Sequence, residues 1–224
     1  MEDSPIIIGV DETGRGALAG PLVVCAAAFH SHTPRVTATY RGIRGDKDLV
    51  VGDSKAYSNP KHREVLDRAV RASVASIAVV ERSAKQIDER LMYVVYPETL
   101  RLAIARVMEQ LVNEGYSNVV NGYVVKLDGD TPRPPGIPCP VHSVPGGDKK
   151  IWQIGAASVV AKVYRDERMR VMHELYPEWG FDKNKGYPTP KHKDMLEELE
   201  ATPIHRRTFR PVAEAQGMPP GFEV

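Results

Sequence analysis

Cysteine is scarce in this chain, and the scarcity excludes two classes at once. Among 224 residues there are two, Cys25 within the apolar run Val23-Val24-Cys25-Ala26-Ala27 and Cys139 in a proline-rich stretch. Two distant cysteines make neither a disulfide framework nor a zinc site. Long hydrophobic runs are also missing. The longest, Leu22 to Phe29, suits a buried strand and falls far short of a bilayer span. The opening Met1-Glu2-Asp3-Ser4-Pro5 lacks the basic region of a secretory signal, so a cytoplasmic protein without a membrane is expected. An excess of one charge is absent too, the formal net charge being +1. Bulk electrostatics therefore announce no nucleic-acid partner, and any such binding must come from locally clustered groups.

What is present fits one sizeable core: 42% hydrophobic and 26% charged residues in a chain of this length. Residues 6–10 form a β-branched run, a glycine turn follows at 13–16, and 22–29 read as a second strand. Residues 31–52 are polar and aperiodic and read as a loop. Ser58 is expected to cap a helix starting near Pro60, and Val74 to Val80 reads as a strand. Ser83 with Gln86 is a capping-box signature. The helical pattern from 84 to 112 contains Pro97, where a break is expected. Tyr123 to Leu127 reads as a strand ending at Asp128-Gly129. An irregular loop with five prolines spans 131–140, Val141 to Val144 forms a short strand, and a helix runs from about Trp152 to Met172. Alternating strands and helices predict an α/β core over 1–172, with a small helical C-terminal subdomain over 173–224 packed on it.

Asp11-Glu12 and Asp128 each end an apolar strand just before a glycine turn, the edge where α/β sheets commonly build sites. Carboxylates converging there repel one another unless a hard divalent cation intervenes. A single Asp-Gly is ordinarily a solvated strand end. For Asp11-Glu12 followed by Gly14-Arg15-Gly16, the solvated end and the site weigh equally. Ser158, Lys162 and Asp166, spaced four apart, share one helix face, and alone would pass for an ordinary exposed Lys–Asp pair.

At these residues the sequence resembles the ribonuclease HII family. Gly9-Val10-Asp11-Glu12-Thr13-Gly14-Arg15-Gly16, continuing Leu18-Ala19-Gly20-Pro21, is similar to its first catalytic strand and turn. Asp53-Ser54-Lys55 matches its Asp-Ser-Lys element, and Asp128-Gly129 its central aspartate. Residues 156–166, Ala-Ala-Ser-Val-Val-Ala-Lys-Val-Tyr-Arg-Asp, resemble its signature helix. Lys185-Gly186-Tyr187-Pro188-Thr189 with His192, then His205-Arg206-Arg207-Thr208-Phe209, resemble its C-terminal elements. The elements occur in the family's order.

The resemblance implies a ribonuclease H-like mixed sheet flanked by helices and four acidic ligands, Asp11, Glu12, Asp128 and Asp166, for Mg2+ or Mn2+. Two such ions about 4 Å apart can activate a water and stabilise both oxygens of a phosphodiester displacement. The implied substrate is an RNA–DNA hybrid, or a DNA duplex containing ribonucleotides, cut to leave 5′-phosphate and 3′-hydroxyl ends. Lys162, with Ser158 and Lys55, would contact phosphates. Gly14-Arg15-Gly16 would let the backbone approach a ribose 2′-hydroxyl; the same glycines also suit a tight turn. Tyr187 matches the family's tyrosine that packs against the deoxynucleotide after the ribonucleotide; the alternative is a tyrosine packed on its own loop. His192 and His205 read as anchors of the C-terminal segment or a phosphate rather than as ligands.

The chain departs from the family pattern at Ala17, Ala56, Asp130 and Gly155, where proline, lysine, asparagine and alanine are usual, and its 31–52 segment is long. Ribonuclease HIII fits less well, having glutamate where Asp166 stands. Two other readings compete: a ribose-indifferent, junction-resolvase-like nuclease on the same fold, and a nucleic-acid-binding module without chemistry. Residues 217–224 show no clamp-binding motif, so a monomer without a protein partner is expected.

Overall fold

The computed structural model describes residues 5–43, 45–53, 58–116 and 122–217. Five strands form the main sheet: β1 (Ile6–Thr13), β2 (Leu22–His30), β5 (Ser76–Arg82), β6 (Tyr123–Asp128) and β7 (Val141–Val144). Their order is β5-β2-β1-β6-β7, in a mixed ribonuclease H-like sheet flanked by helices. β2 lies between β5 and β1 and is buried from Leu22 to Phe29. That burial explains its unbroken apolar run in place of alternation.

Two short strands, β3 (Thr37–Tyr40) and β4 (Lys47–Val50), pair antiparallel as a separate hairpin. The expected loop over 31–52 is thus corrected. Four-residue strands leave too little alternation to register as a pattern, and among the described residues here only Val36, Leu49 and Val51 are buried. The hairpin leans on helix α1 (Pro60–Ser73), the Tyr40 ring standing 4.7 Å from that of His62.

Two helix boundaries also differ from expectation. Asn59, not Ser58, caps α1, its side chain accepting from the Lys61 amide at 2.9 Å. Helix α2 (Ala84–Arg90) opens with the expected capping box and stops at Leu91, whose φ is 66°. Helix α3 (Met92–Asn113) then carries Pro97 inside it. Proline near a helix start forfeits one backbone bond without forcing a break, so the interruption falls at Leu91 instead.

The remaining elements are α4 (Gly147–Lys150), α5 (Trp152–Leu175), a 3-10 turn at Pro177–Trp179, α6 (Phe181–Asn184), α7 (Pro190–Glu198) and α8 (Arg210–Ala215). The chain packs as two compact units, each assembled from separated segments. The first comprises Met1–Glu12, Val24–Val80 and Leu100–Val163. Its core holds Ile8, Val10, Val125 and Leu127 from the sheet with Ile104, Val107, Ala157 and Ala161 from helices. The second comprises Thr13–Val23, Glu81–Thr99 and Tyr164–Val224. It is built around Leu18, Met169, Trp179, Phe181, Leu196 and Val212.

Candidate functional site

Side chains alternate along β1, so Gly9 and Asp11 share a face. At Gly9 the strand touches the start of α5: a methyl group there would lie 2.2 Å from the carbonyl carbon of Gln153. Only glycine permits that approach. From this contact, two residues of strand advance about 6.8 Å and five of helix about 7.5 Å, so Asp11 and Ser158 arrive together. The Asp11 carboxylate accepts a bond from the Ser158 hydroxyl and, at 2.8 Å, from the Glu12 amide.

The second carboxylate comes from the sheet. β1 and β6 run parallel with Val10 opposite Leu127, so the next step sets Asp11 beside Asp128 on a strand about 4.8 Å away. Asp128 accepts from the amides of Gly147 at 2.6 Å and Asp148 at 3.3 Å, at the start of α4. These bonds hold one carboxylate oxygen in place. Asp11 is 7% exposed, and its pKa is pushed up to about 8. Burial is the largest cause; the Ser158 bond opposes it, and the charges of Glu12 and Asp128 add to the rise. Three acidic groups thus meet in the first unit, the charges of Glu12 and Asp128 acting on Asp11.

This donor set fits a hard divalent cation. Among the described residues no group of three or more His, Cys, Asp or Glu side chains is arranged to hold a metal ion. An open shell completed by water and phosphate oxygens is the arrangement Mg2+ favours.

Lys162 and Asp166 follow Ser158 along α5, as the four-residue spacing requires, both half-buried and both engaged in contacts. Lys162 belongs to the first unit and Asp166 to the second. Lys55 lies outside the described residues.

The second unit brings Gly14, Arg15 and Tyr187 together. The Tyr187 hydroxyl accepts from the Gly14 amide at 3.1 Å and lies 3.5 Å from the Thr13 hydroxyl. Gly14 has φ 85°, and a methyl there would strike the Arg165 side chain at 2.2 Å. Gly16 is different. A methyl there meets nothing within 4 Å, and its φ is not positive. Folding therefore does not require glycine at 16. The exposed Arg15 stacks its guanidinium 4.7 Å from the Tyr96 ring centre.

Over residues 8–212 the chain matches the family described as Ribonuclease HII. It belongs to the ribonuclease HII family. The ribonuclease HII of Cupriavidus pinatubonensis is 36% identical over 209 residues, covering 93% of this chain and 85% of the relative. The crystal structure of ribonuclease H2 from Pyrococcus horikoshii OT3 superposes with a TM-score of 0.70 at 26% identity, covering 95% of this chain and 97% of that one. The ribonuclease HII of Archaeoglobus fulgidus, solved in a complex with PCNA, shares the fold with a TM-score of 0.64 at 22% identity over 94% and 96% of the two chains. Ribonucleases HII are metal-dependent endonucleases, and the chain is a ribonuclease by membership. Among the described residues, no helix is long and apolar enough to cross a membrane.

Sequence reasoning passed over two residues of this ribonuclease HII. Arg165 and Arg206 are both fully buried and clasp the 14–21 turn by its carbonyls. Arg165 donates to Pro21 at 2.9 Å and Ala19 at 3.2 Å; Arg206 donates twice to Gly20 and once to Arg15. Burial lowers both pKa values, Arg206 to about 9 with the like charge of Arg165 contributing. Arginine directly before Asp166, and in His205-Arg206, reads in sequence as surface charge, and no periodicity separates the two cases.

Proposed function

We propose that the chain hydrolyses the RNA strand of RNA–DNA hybrids and nicks duplex DNA on the 5′ side of embedded ribonucleotides, leaving 5′-phosphate and 3′-hydroxyl ends. The observation that carries the proposal is the buried Asp11 carboxylate, raised in pKa beside Glu12 and Asp128, in a chain of this family. Asp11, Glu12, Asp128 and Asp166 are the ligands proposed for Mg2+ or Mn2+. Two such ions, when bound, supply an activated water and neutralise charge developing at the phosphodiester.

The protein's own contribution is holding and orienting. Ser158 and the Glu12 amide orient Asp11, and the α4 amides orient Asp128, so the acids need no rearrangement before use. Lys162, with Ser158 and Lys55, contacts phosphate oxygens. The Gly14-Arg15-Gly16 backbone meets the ribose 2′-hydroxyl, which distinguishes RNA from DNA. The unfilled space at Gly16 supports this role, since glycine there answers no need of the fold. Tyr187 packs against the following deoxynucleotide. Residues 1–172 carry the chemistry, with 173–224 as a helical subdomain that supports Tyr187.

We further propose a cytoplasmic location. Partnerless action is not part of the proposal, because the Archaeoglobus fulgidus protein of the same fold was solved with PCNA.

The test is a nicking assay on duplex DNA carrying one ribonucleotide, with Mg2+ or Mn2+ titrated. A nick 5′ of the ribonucleotide is expected, nearly abolished by Asp128→Asn with the fold intact. Cleavage indifferent to the ribose would favour a junction-resolvase-like nuclease, and tight hybrid binding without turnover a non-catalytic module.

A further inference from the structure

Two histidines that neither bind metal nor touch substrate in the reading above form a continuous proton-ordered chain in the second unit. The ring nitrogens Nε2 of His192 and His205 lie 3.0 Å apart. His192 Nδ1 stands 2.9 Å from the Tyr187 carbonyl oxygen, and His205 Nδ1 accepts the Thr202 amide at 3.0 Å. Those contacts leave one arrangement of protons. The Thr202 amide can only donate, so His205 Nδ1 bears a lone pair and its proton sits on Nε2. That proton points to His192 Nε2, which must accept, so the His192 proton sits on Nδ1 and is donated to the Tyr187 carbonyl.

Both rings are buried, His192 at 0% and His205 at 1% exposure, and they lie against Trp179 and Phe181. Burial depresses both pKa values, that of His205 to about 3, so the pair stays neutral and the relay keeps its direction.

The relay ends on the Gly186-Tyr187 segment, which is already held to the turn at two other points. The Gly186 carbonyl accepts the Leu18 amide at 2.8 Å, and the Tyr187 hydroxyl accepts that of Gly14. The other end of the relay is pinned to the same turn: Arg206 donates its amide to the Leu18 carbonyl, and Gly20 donates to that of Ile204, with Ala19 bridging His205. The circuit therefore runs from the turn through Tyr187, His192 and His205 back to the turn. The Tyr187 carbonyl also accepts the Thr189 amide at 2.8 Å, so the His192 bond is its second; a hydrophobic pair of this volume would fill the space equally well but leave that carbonyl held by the Thr189 amide alone.

We propose that His192 and His205 are positioning residues, whose ordered hydrogen bonds set the Tyr187 ring against the Gly14–Gly16 turn and thereby sharpen selection of the ribonucleotide–deoxynucleotide junction. The inference rests on the proposed role of Tyr187 in that selection.

The test compares His192→Phe with His192→Asn in the full chain. Phenylalanine keeps the volume and loses both bonds; asparagine keeps a donor where Nδ1 stands and loses the link to His205. The reading is the ratio of kcat/KM on a duplex with one ribonucleotide to that on a continuous hybrid, together with the Gly14 amide resonance. His192→Phe is expected to lower the ratio about tenfold, through kcat rather than KM, and to shift the Gly14 resonance. His192→Asn is expected to restore most of both. An equal loss on both substrates, or an unchanged ratio and resonance, overturns the proposal. Should His192→Phe fail to fold, His205→Asn serves instead: it keeps an acceptor for Thr202 and cuts the relay, with the same loss expected. In the unaltered protein, nitrogen chemical shifts must show the proton on Nδ1 of His192 and on Nε2 of His205; the reverse polarity overturns the proposal as well. If the unaltered protein nicks no ribonucleotide-containing duplex, the functional reading falls, while the tautomers and the Gly14 resonance still decide the positioning.

Discussion

The phenolic oxygen of Tyr187 accepts the amide hydrogen of Gly14 at 3.1 Å, joining residues 173 positions apart in the chain. The bond ties the glycine turn that follows Glu12 to the segment after α6. The guanidinium of Arg165 lies 5.2 Å from the centre of the same ring, so the tyrosine is held by its hydroxyl and by one face.

Truncating this tyrosine tests its part in selectivity. Tyr187→Ala is expected to remove most preference for ribonucleotide–deoxynucleotide junctions, while Tyr187→Phe, which keeps the ring and frees the Gly14 amide, should lose less. Cleavage rates on junction and continuous-hybrid substrates supply the comparison. Unchanged preference in Tyr187→Ala would remove the residue from substrate recognition.

Two glycines of one turn should separate folding from function. Gly16→Ala places a methyl in open space at a φ that alanine tolerates, so the melting temperature should hold within about 1 °C, as for a surface change. Turnover on ribonucleotide substrates should nevertheless drop at least about tenfold, if the ribose approaches there. Gly14→Ala meets Arg165 at a φ of 85° and should destabilise the fold as well. Full activity in Gly16→Ala would disprove the close approach.

Asp11 predicts a coupling of pH, metal and stability. Its pKa is about 8 when folded against an ordinary value of 3.8, so between roughly pH 4 and 8 the folded chain holds a proton that the unfolded chain has lost. Stability from this group is therefore complete below about pH 4 and is lost as pH rises through 8. Without metal, Asp11→Asn should melt about 2–4 °C above the unaltered protein at pH 8, corresponding to roughly 1 kcal/mol. Added Mg2+ or Mn2+ should raise the melting point of the unaltered protein more at pH 8 than at pH 6, because the cation competes with that proton. Calorimetry across pH with and without metal checks both. A metal-free Asn variant less stable than its parent at pH 8 would contradict the assignment.

Gly9→Ala should act on the site from beneath it. The added methyl meets the backbone of Gln153 at 2.2 Å, so β1 and α5 must separate, at about 1–3 kcal/mol. The same displacement moves Ser158 from Asp11, and activity should fall further than the loss of folded protein accounts for. Denaturant unfolding read beside turnover distinguishes the two, and a variant with native stability would show that the contact yields more easily than its geometry suggests.

The strands and long helices were legible because their patterns are long: eight residues for β1, nine for β2, twenty-four for α5. The β3–β4 hairpin was not, since four-residue strands show too few alternations to stand out from a polar loop. The cap at Asn59 and the stop at Leu91 were each misplaced by local chemistry that neighbouring residues could have supplied equally well. Ser58 and Asn59 are both good caps, and a non-glycine residue at φ 66° carries no mark in the sequence.

By itself, the order of residues determined which groups exist and where along the chain they fall: acids closing two apolar strands, glycines after them, and Ser158, Lys162 and Asp166 on one helical face. Those follow from backbone periodicity, which is local. Only the tertiary structure decided that Asp11 stands beside Asp128, because parallel register joins segments more than a hundred residues apart. It also decided that Arg165 and Arg206 are buried clasps and that His192 and His205 share one proton-ordered bond. Burial and hydrogen-bond direction depend on what surrounds a side chain, and its neighbours in sequence do not specify them.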